Sequence, residues 1–326
     1  MAPDMAPELD WRDAQLRSVT DLTPDVRLFT IAPEGGFVAP EPGCHINVGV
    51  LVDGRPDVRS YSVVGACGDG LYRIAVKRID PGRGGSAYLW GLAPGARLRI
   101  TAPRNLFALT RGRPHYLLVA GGIGITPIYG MALALAGSGA GLRLLYAART
   151  AADLAFADEL RARLGDGMET FVEAEGAMID LEREIAALPE GGELYVCGPI
   201  GLLDAARRLW AAAGRPAGAL RFETFGNTGR FPAEEFTVTI PRLGRTVTVP
   251  RNRTLLEALE EAGVDMIFNC RRGECGLCAV TILDAEGEVD HRDVFFSDRQ
   301  KAENRQMCTC VSRAVGGGIT IDTADR

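Results

Sequence analysis

Histidine is scarce in this 326-residue sequence: His45, His115 and His291 are the only three, and none stands in a Cys-x-His or Cys-x-x-His pair. That scarcity excludes a Rieske centre combined with a histidine-bound mononuclear iron, because both draw on several imidazoles. Redox chemistry in this chain therefore proceeds without oxygen activation at an iron of its own. Long apolar runs are missing as well. The stretches Tyr116 to Gly122 and Ile123 to Ala136 are interrupted by glycine and proline and fall short of the span a membrane helix needs. The opening MAPDMAPELDWRD is acidic and has no apolar h-region, which reads as no signal peptide and a cytoplasmic protein. No basic run occurs, and 36 Lys plus Arg against 42 Asp plus Glu leave a net charge of -6. Neither nucleic acid nor membrane is an expected partner. With 47% apolar and 24% charged residues, and no repeat or low-complexity tract, disorder and collagen-like structure are excluded.

The length suits two or three domains, each able to bury its own core. The first third carries short β-rich segments, Val26 to Ile31, His45 to Val52, Arg59 to Val64 and Leu71 to Arg78, separated by Pro, Gly and Asp, as in an antiparallel barrel. The middle third changes character. Tyr116 to Ala120 is a continuous apolar strand followed by a glycine loop, a helical stretch at Met131 to Ala136 and a second buried strand at Leu142 to Ala147, an order that predicts a parallel sheet. Helices are expected at Asp158 to Leu164 and Leu202 to Ala213, with a strand at Glu193 to Cys197 between them. Gly226-Asn227-Thr228-Gly229 is the best linker. Beyond it Phe236, Val238 and Ile240 alternate, Leu243-Gly244 turns the chain, and Thr254 with Glu257 forms a capping box for a helix over Leu255 to Ala262. The expected domains are 1–110, 111–227 and 228–326.

Eight cysteines suggest disulfides by their even number, but their placement argues otherwise. Cys44, Cys67 and Cys197 stand alone, while five crowd between Cys270 and Cys310. A dense cluster in a cytoplasmic chain reads as a metal or iron–sulfur site. Cys270, Cys275 and Cys278 have the spacing C-x4-C-x2-C within NCRRGECGLC, with a further cysteine about thirty residues on, as in plant-type [2Fe–2S] ferredoxins. Zinc sites favour paired C-x2-C knuckles, and only one such pair exists here. Gly273 and Gly276 permit the backbone conformations that aim amide N–H groups at the sulfurs. Cys308 and Cys310, both in QMCTCVSRA, compete for the fourth position: Cys308 keeps the shorter spacing, and Cys310 requires two more residues, placed in the Asp284 to Glu288 turn.

Two further signatures precede the cluster. Arg59-Ser60-Tyr61-Ser62 lies on an expected barrel strand, with Ala75-Val76-Lys77-Arg78 and Gly82-Arg83-Gly84-Gly85-Ser86 downstream. The glycines admit backbone N–H groups to a phosphate, Ser86 adds a hydroxyl and Arg59 a bidentate cation. Gly121, Gly122, Gly124, Thr126 and Pro127 form a glycine turn between a buried strand and a helix, which lets a dinucleotide pyrophosphate approach helix amides. Past the second parallel strand, Arg149 could accept a 2′-phosphate and Asp153 a ribose 2′-hydroxyl, so NADPH and NADH both stay open.

Nearly the whole chain, through GRGGS, LVAGGIGITP, YVCGP, GEVDHRD and CVSRA, resembles the phthalate dioxygenase reductase and vanillate O-demethylase reductase family. The resemblance implies an antiparallel β-barrel flavin domain, an α/β parallel-sheet nucleotide domain and an α+β β-grasp ferredoxin domain. It implies FMN held by Arg59, Ser60, Tyr61, Ser62, Ala75, Lys77, Gly84, Gly85 and Ser86, with Tyr61 against the isoalloxazine. It implies NADH at the glycine turn and at Cys197, Gly198 and Pro199, with Cys197 beside the nicotinamide and Phe225 against the flavin. The cysteine directly before Val-Ser-Arg is the ligand in that family, which implies Cys310. The order carries a physical logic: NADH yields two electrons as hydride, a [2Fe–2S] cluster accepts one, and a flavin handles either number. The expected function is the reductase of a two-component Rieske oxygenase system, with the oxygenase component as electron acceptor and nothing demanding more than a monomer. A stand-alone NADH diaphorase or quinone or ferric reductase is the alternative, and a redox-sensing binding module a third reading. Arg271 and Arg272 read either as solvated charge or as a contact for an acidic partner.

Overall fold

The computed structural model describes residues 10–65, 68–80, 82–225 and 229–323. Cys67 and residues 226–228 of the expected linker lie outside them. The chain divides into two compact units, one of Met1–Gly198 and Ala206–Glu223, the other of Pro199–Ala205 and Thr224–Arg326.

The first unit holds two sheets. Strands β1 (Trp11–Thr23), β2 (Val26–Pro33), β3 (Cys44–Val52), β4 (Arg55–Ser62) and β5 (Tyr72–Lys77) precede helix α1 (Gly85–Trp90), and β6 (Arg97–Thr101) and β7 (Arg104–Asn105) follow it. All pair antiparallel in the order β4-β3-β6-β1-β2-β5, with β7 on β3, and a Val63–Ile74 bridge joins the two ends of the sheet into a barrel. Inward-facing Leu16, Phe29, Ile31, Ile46, Val48, Tyr72, Ile74 and Ile100 fill it. The β3–β4 turn rests on Asp53 and Gly54, both at positive φ (52° and 77°), the geometry a two-residue hairpin turn requires.

The second sheet is wholly parallel. It runs β8 (His115–Gly121), α2 (Ile125–Leu135), β9 (Gly141–Ala148), α3 (Ala157–Leu164), β10 (Met168–Val172), α4 (Leu181–Ala187), β11 (Glu193–Cys197), α5 (Ile200–Ala212) and β12 (Leu220–Glu223), in the order β10-β9-β8-β11-β12. Strand order reverses beside β8, and the crevice at the carboxyl ends of β8 and β11 is where such sheets bind ligands. Helix α2 starts at Ile125, well before the expected Met131, because Pro127 sits in the first turn, where a missing N–H costs nothing.

The second unit holds β13 (Phe236–Ile240), β14 (Arg245–Val249), α6 (Leu255–Glu261), β15 (Ala279–Ala285), β16 (Glu288–Asp290), α7 (Asp298–Glu303), β17 (Gln306–Cys308), β18 (Arg313–Val315) and β19 (Ile319–Asp322). Its sheet runs β14-β13-β19-β15-β17, parallel only between β13 and β19, and α6 packs Leu255, Ala258 and Leu259 into the sheet core. The expected capping box is present: Thr254 Oγ1 accepts from the Glu257 amide at 3.1 Å and the Glu257 carboxylate from the Thr254 amide at 2.8 Å.

Candidate functional site

The cysteine loop links α6 to β15. Arg271, Gly273 and Gly276 are left-handed, at φ 52°, 75° and 72°, and the turns they make carry the amides of Arg272 and Glu274 to the Cys270 sulfur, both at 3.4 Å. Both glycines are sterically required. A Cβ on Gly273 would fall 2.7 Å from the Val311 side chain and 2.9 Å from Asp293 Cα, and one on Gly276 would enter the Phe295 ring.

Cys310 comes from beyond β17 and is buried with Cys308 and Cys278 in one apolar cluster. A bond from Cys310, helped by the amides of Arg272, Glu274 and Cys275, pushes the Cys270 thiol down to about 4. Bonds from Cys308 and Cys310 push Cys278 down to about 3. The same bonds raise Cys308 and Cys310, the donors, and burial raises Cys275. Thiolate is the form in which cysteine ligates a metal, and backbone amides aimed at the Cys270 sulfur are the donors an iron–sulfur centre uses, although among the described residues no group of three or more His, Cys, Asp or Glu is placed to hold a single metal ion.

The arginine pair at this loop is neither free nor symmetrical. The Arg271 guanidinium lies 4.0 Å over Phe268 and pairs with Glu260 at 2.8 Å. Arg272 is buried, 3.4 Å from the Glu274 carboxylate, and Glu274 also accepts the Thr224 amide at 3.2 Å. Sequence reasoning missed a neighbouring polar core. Buried Arg292 donates to Asp290 at 2.8 Å and to the Phe231 carbonyl at 3.0 Å, and Asp290 accepts the Arg230 amide at 3.0 Å. Asp293, wholly buried, accepts the Phe296 amide at 2.9 Å. Burial pulls its carboxyl up, yet the nearby His291 imidazole, the Phe296 amide and the charge of Lys301 hold it below the ordinary range.

In the barrel, two motifs distant in sequence meet. The Arg59 guanidinium donates to the Arg83 carbonyl at 3.0 Å and to Asp57 at 2.7 Å, and a Cβ on Gly85 would fall 2.6 Å from Arg59 Cγ. Gly84 is left-handed (φ 78°) because Val52 lies beneath it, 2.7 Å from where a Cβ would stand. Arg59 thus joins the 83–86 turn in one surface, as a phosphate cradle requires. Burial raises Asp57, but hydrogen bonding to Arg59 prevails and keeps it below the usual range. Ser60 donates to Asn47 at 2.6 Å, Ser62 is buried, and half-buried Tyr61 packs on the barrel core with its phenol raised by burial. The Ser86 hydroxyl accepts the Ile79 amide at 3.2 Å. Ala75 is buried in β5, and Lys77 at its end pairs with Asp25 at 2.8 Å.

At the parallel sheet, Gly121 ends β8 and Gly122 is left-handed (φ 53°). Gly124 touches β11: a Cβ there would meet the Cys197 carbonyl, 2.5 Å from its carbon and 2.9 Å from the Gly198 nitrogen. Thr126, buried, donates to the Ile123 carbonyl at 3.0 Å, and Pro127 is buried beside it. Cys197, fully buried, is level with Ala120 on β8 and Glu223 on β12. Sequence reasoning missed Glu223, 1% exposed at the end of β12, because the exposed Arg221 in the same short strand gives no sign of a buried face. Arg149 is exposed, while Asp153 accepts both the amide (3.0 Å) and the hydroxyl (2.8 Å) of Thr150. Pro199 and half-buried Phe225 belong to the second unit.

Residues 118–208 match the oxidoreductase NAD-binding domain family and residues 238–315 the 2Fe-2S iron-sulfur cluster binding domain family. The chain is 39% identical to a putative toluene-4-sulfonate monooxygenase system reductase subunit of Comamonas testosteroni, over 86% of this chain and 88% of that protein. It is 37% identical to the tetrachlorobenzoquinone reductase of Sphingobium chlorophenolicum, over 95% and 97%. Among solved structures it resembles phthalate dioxygenase reductase, described as modular for electron transfer from pyridine nucleotides to [2Fe-2S], with a TM-score of 0.74 and 31% identity over 96% and 98% of the two chains. The barrel, the parallel nucleotide sheet and the ferredoxin sheet occur in the expected order, and the chain belongs to the phthalate dioxygenase reductase family of flavin iron–sulfur oxidoreductases.

Proposed function

We propose that this chain is the NADH-dependent reductase component of a two-component Rieske-type oxygenase system. The observation that carries the reading is the left-handed cysteine loop, which aims the Arg272 and Glu274 amides at the Cys270 sulfur, in a chain 39% identical to a monooxygenase system reductase subunit. When bound, FMN converts a two-electron hydride into single electrons, and the [2Fe–2S] cluster, held by Cys270, Cys275, Cys278 and Cys310, passes them on one at a time.

The remaining work belongs to the chain's own groups. Arg59 and the 83–86 turn bind the flavin phosphate by charge and backbone N–H groups. Gly121, Gly122 and Gly124 let the nucleotide pyrophosphate reach amides at the start of α2, whose dipole favours the anion. Cys197 and Glu223 close the ends of β11 and β12 without exposing either side chain, which keeps water from the hydride donor. Tyr61, protonated at neutral pH, offers a flat apolar face to an aromatic ring system. Among the described residues no helix is long and apolar enough to cross a membrane, and a cytoplasmic monomer is the proposed working form.

Anaerobic NADH titration, followed by visible absorption and electron paramagnetic resonance, tests the reading. Flavin bleaching together with a [2Fe–2S] signal, for about three electrons per chain, is expected. A bleached flavin without a cluster signal would sink it. The similarity to a tetrachlorobenzoquinone reductase favours a second reading, a stand-alone quinone reductase. Quinone turnover without coupling to any Rieske oxygenase would select that reading.

A further inference from the structure

We propose that Tyr195 is a positioning residue for hydride transfer: its hydroxyl fastens the connector between the barrel and the parallel sheet to β11, and so fixes how the strand end at Cys197 stands against the flavin barrel. The inference rests on the proposed placing of FMN in the barrel and of NADH at the ends of β8 and β11. In that step a nicotinamide C–H bond breaks and a flavin N–H bond forms. The electron pair travels with the hydrogen, leaving NAD+ and a flavin reduced by two electrons.

Residues 106–114 are the connector, between β7 and β8. At its barrel end Phe107 is buried, its ring centroid 5.7 Å from that of Tyr195. The Phe107 amide donates to the Asn105 side-chain oxygen at 3.1 Å, and the Asn105 side-chain nitrogen donates to the Pro42 carbonyl at 3.1 Å. The next residue, Gly43, is left-handed (φ 88°) and has no room for a Cβ, which would fall 2.9 Å from the Phe107 carbonyl carbon and 3.0 Å from the Met131 side chain of α2. The barrel therefore bears directly on the connector and on the helix that follows the glycine turn.

Further along, two tyrosines of the parallel sheet hold the connector's backbone. The Tyr195 hydroxyl accepts the Thr110 amide at 2.8 Å and donates to the Glu193 carboxylate at 2.9 Å. The Tyr116 hydroxyl, on β8, accepts the Arg113 amide at 3.0 Å and donates to the Thr110 carbonyl at 2.8 Å. Arg113 Nε donates to the other oxygen of Glu193 at 2.9 Å, and Glu193 is wholly buried. Side chains alternate along a strand, so Glu193, Tyr195 and Cys197 share one face of β11, and Tyr195 holds that face about 6.6 Å from Cys197. A phenylalanine would pack against Phe107 and Tyr116 equally well. What the hydroxyl adds is a closed buried network, and such networks fix a single arrangement of the parts they join.

The test compares Tyr195→Phe with the wild type, both as FMN-loaded full chains, by anaerobic stopped-flow reduction with NADH and by amide hydrogen exchange. The limiting rate of flavin reduction is expected to fall about 10-fold while the half-saturating NADH concentration stays within about twofold, since position and not affinity is lost. Exchange over residues 106–114 is expected to quicken about 5-fold, for the loss of one hydrogen bond. A wild-type limiting rate, or a slowed rate with unchanged exchange in the connector, would overturn the proposal. A wild-type protein that binds FMN but passes it no hydride from NADH would overturn the cofactor reading beneath it instead. Should Tyr195→Phe fail to fold, Tyr116→Phe, which releases the same connector from β8, is read by the same two measurements. A slowed limiting rate with quickened exchange is again expected, and a wild-type rate with quickened exchange would refute the positioning role.

Discussion

Gly124→Ala is a one-methyl change with a calculable consequence. Gly124 has ordinary helical angles (φ -61°, ψ -9°), so alanine suffers no conformational strain there. Its methyl, however, would lie 2.5 Å from the Cys197 carbonyl carbon, where carbon contacts normally settle at about 3.5–4.0 Å. The obstacle is backbone at the end of a central strand, so the glycine turn must move away from β11 by about 1 Å. Overpacking of this kind costs about 1–3 kcal/mol, and each kcal/mol lowers Tm by about 2–4 °C for a unit this size. A displacement of about 1 Å in a positioning element can slow the positioned reaction about 100-fold. Anaerobic stopped-flow reduction of the flavin by NADH measures that loss, while the cluster signal after dithionite reduction should be unchanged. Gly122→Ala is the contrast. No atom lies near its Cβ position, but φ is +53°, so alanine costs about 1 kcal/mol in strain, and asparagine, which tolerates left-handed angles, should cost less. Wild-type flavin reduction and Tm in Gly124→Ala would refute the close-approach reasoning.

Other outcomes follow from the same geometry. Cys275→Ser and Cys310→Ser should each abolish the cluster signal and leave flavin reduction by NADH intact; loss of both in either variant would count against separable chemistry. Arg292→Ala strands the wholly buried Asp290 carboxylate and should destabilise the second unit by about 3–5 kcal/mol, seen as cluster loss at lower temperature; an unchanged melting profile would contradict it. Arg143, with Arg183, holds buried Glu184 below the ordinary carboxyl range against its burial. The folded value lies under the unfolded one of about 4.3. Its stabilisation is therefore complete above that pH and fades as pH falls through the folded value. Urea unfolding between pH 3 and 6 should show a shallower acid limb in Glu184→Gln, and identical limbs would refute the assignment.

Local chemistry was legible in the sequence where short-range rules govern it. The Thr254–Glu257 box, the C-x4-C-x2-C loop and the glycine turn after β8 each depend on neighbours within a few residues. Strand β1 escaped notice for a physical reason. Register shifts between Leu16 and Ser18 and between Asp21 and Thr23 break its alternation, and charged residues cover its outer face. Arg272 read as surface charge, since nothing in NCRRGEC reveals that Glu274 and the chain around it bury the guanidinium. The rivalry of Cys308 and Cys310 likewise could not be decided by spacing. The resemblance at Cys-Val-Ser-Arg is what favours Cys310, and the turn after β17 that separates the two closes with the Val311 and Ser312 amides on the Cys308 carbonyl.

The two chemistries make unequal demands on precision, and the side chains reflect it. Hydride transfer makes and breaks bonds to hydrogen, so donor and acceptor must stay within atomic contact. Accordingly the ends of β8 and β11 are so close that Gly124 has no room for a methyl, and Cys197 and Glu223 are sealed beside them. A single electron requires no such contact. What its carrier needs is four anchored sulfurs and a set of donors that hold the added charge. Backbone amides serve that purpose better than mobile side chains, because the left-handed turns at Arg271, Gly273 and Gly276 fix their direction. Asp290 and Arg292 add a latch on residues 230 and 231, which fastens the chain entering the second unit to that unit's own core. The contrasting demands of hydride and single-electron transfer are what the separate effects of Gly124→Ala and Cys275→Ser would measure.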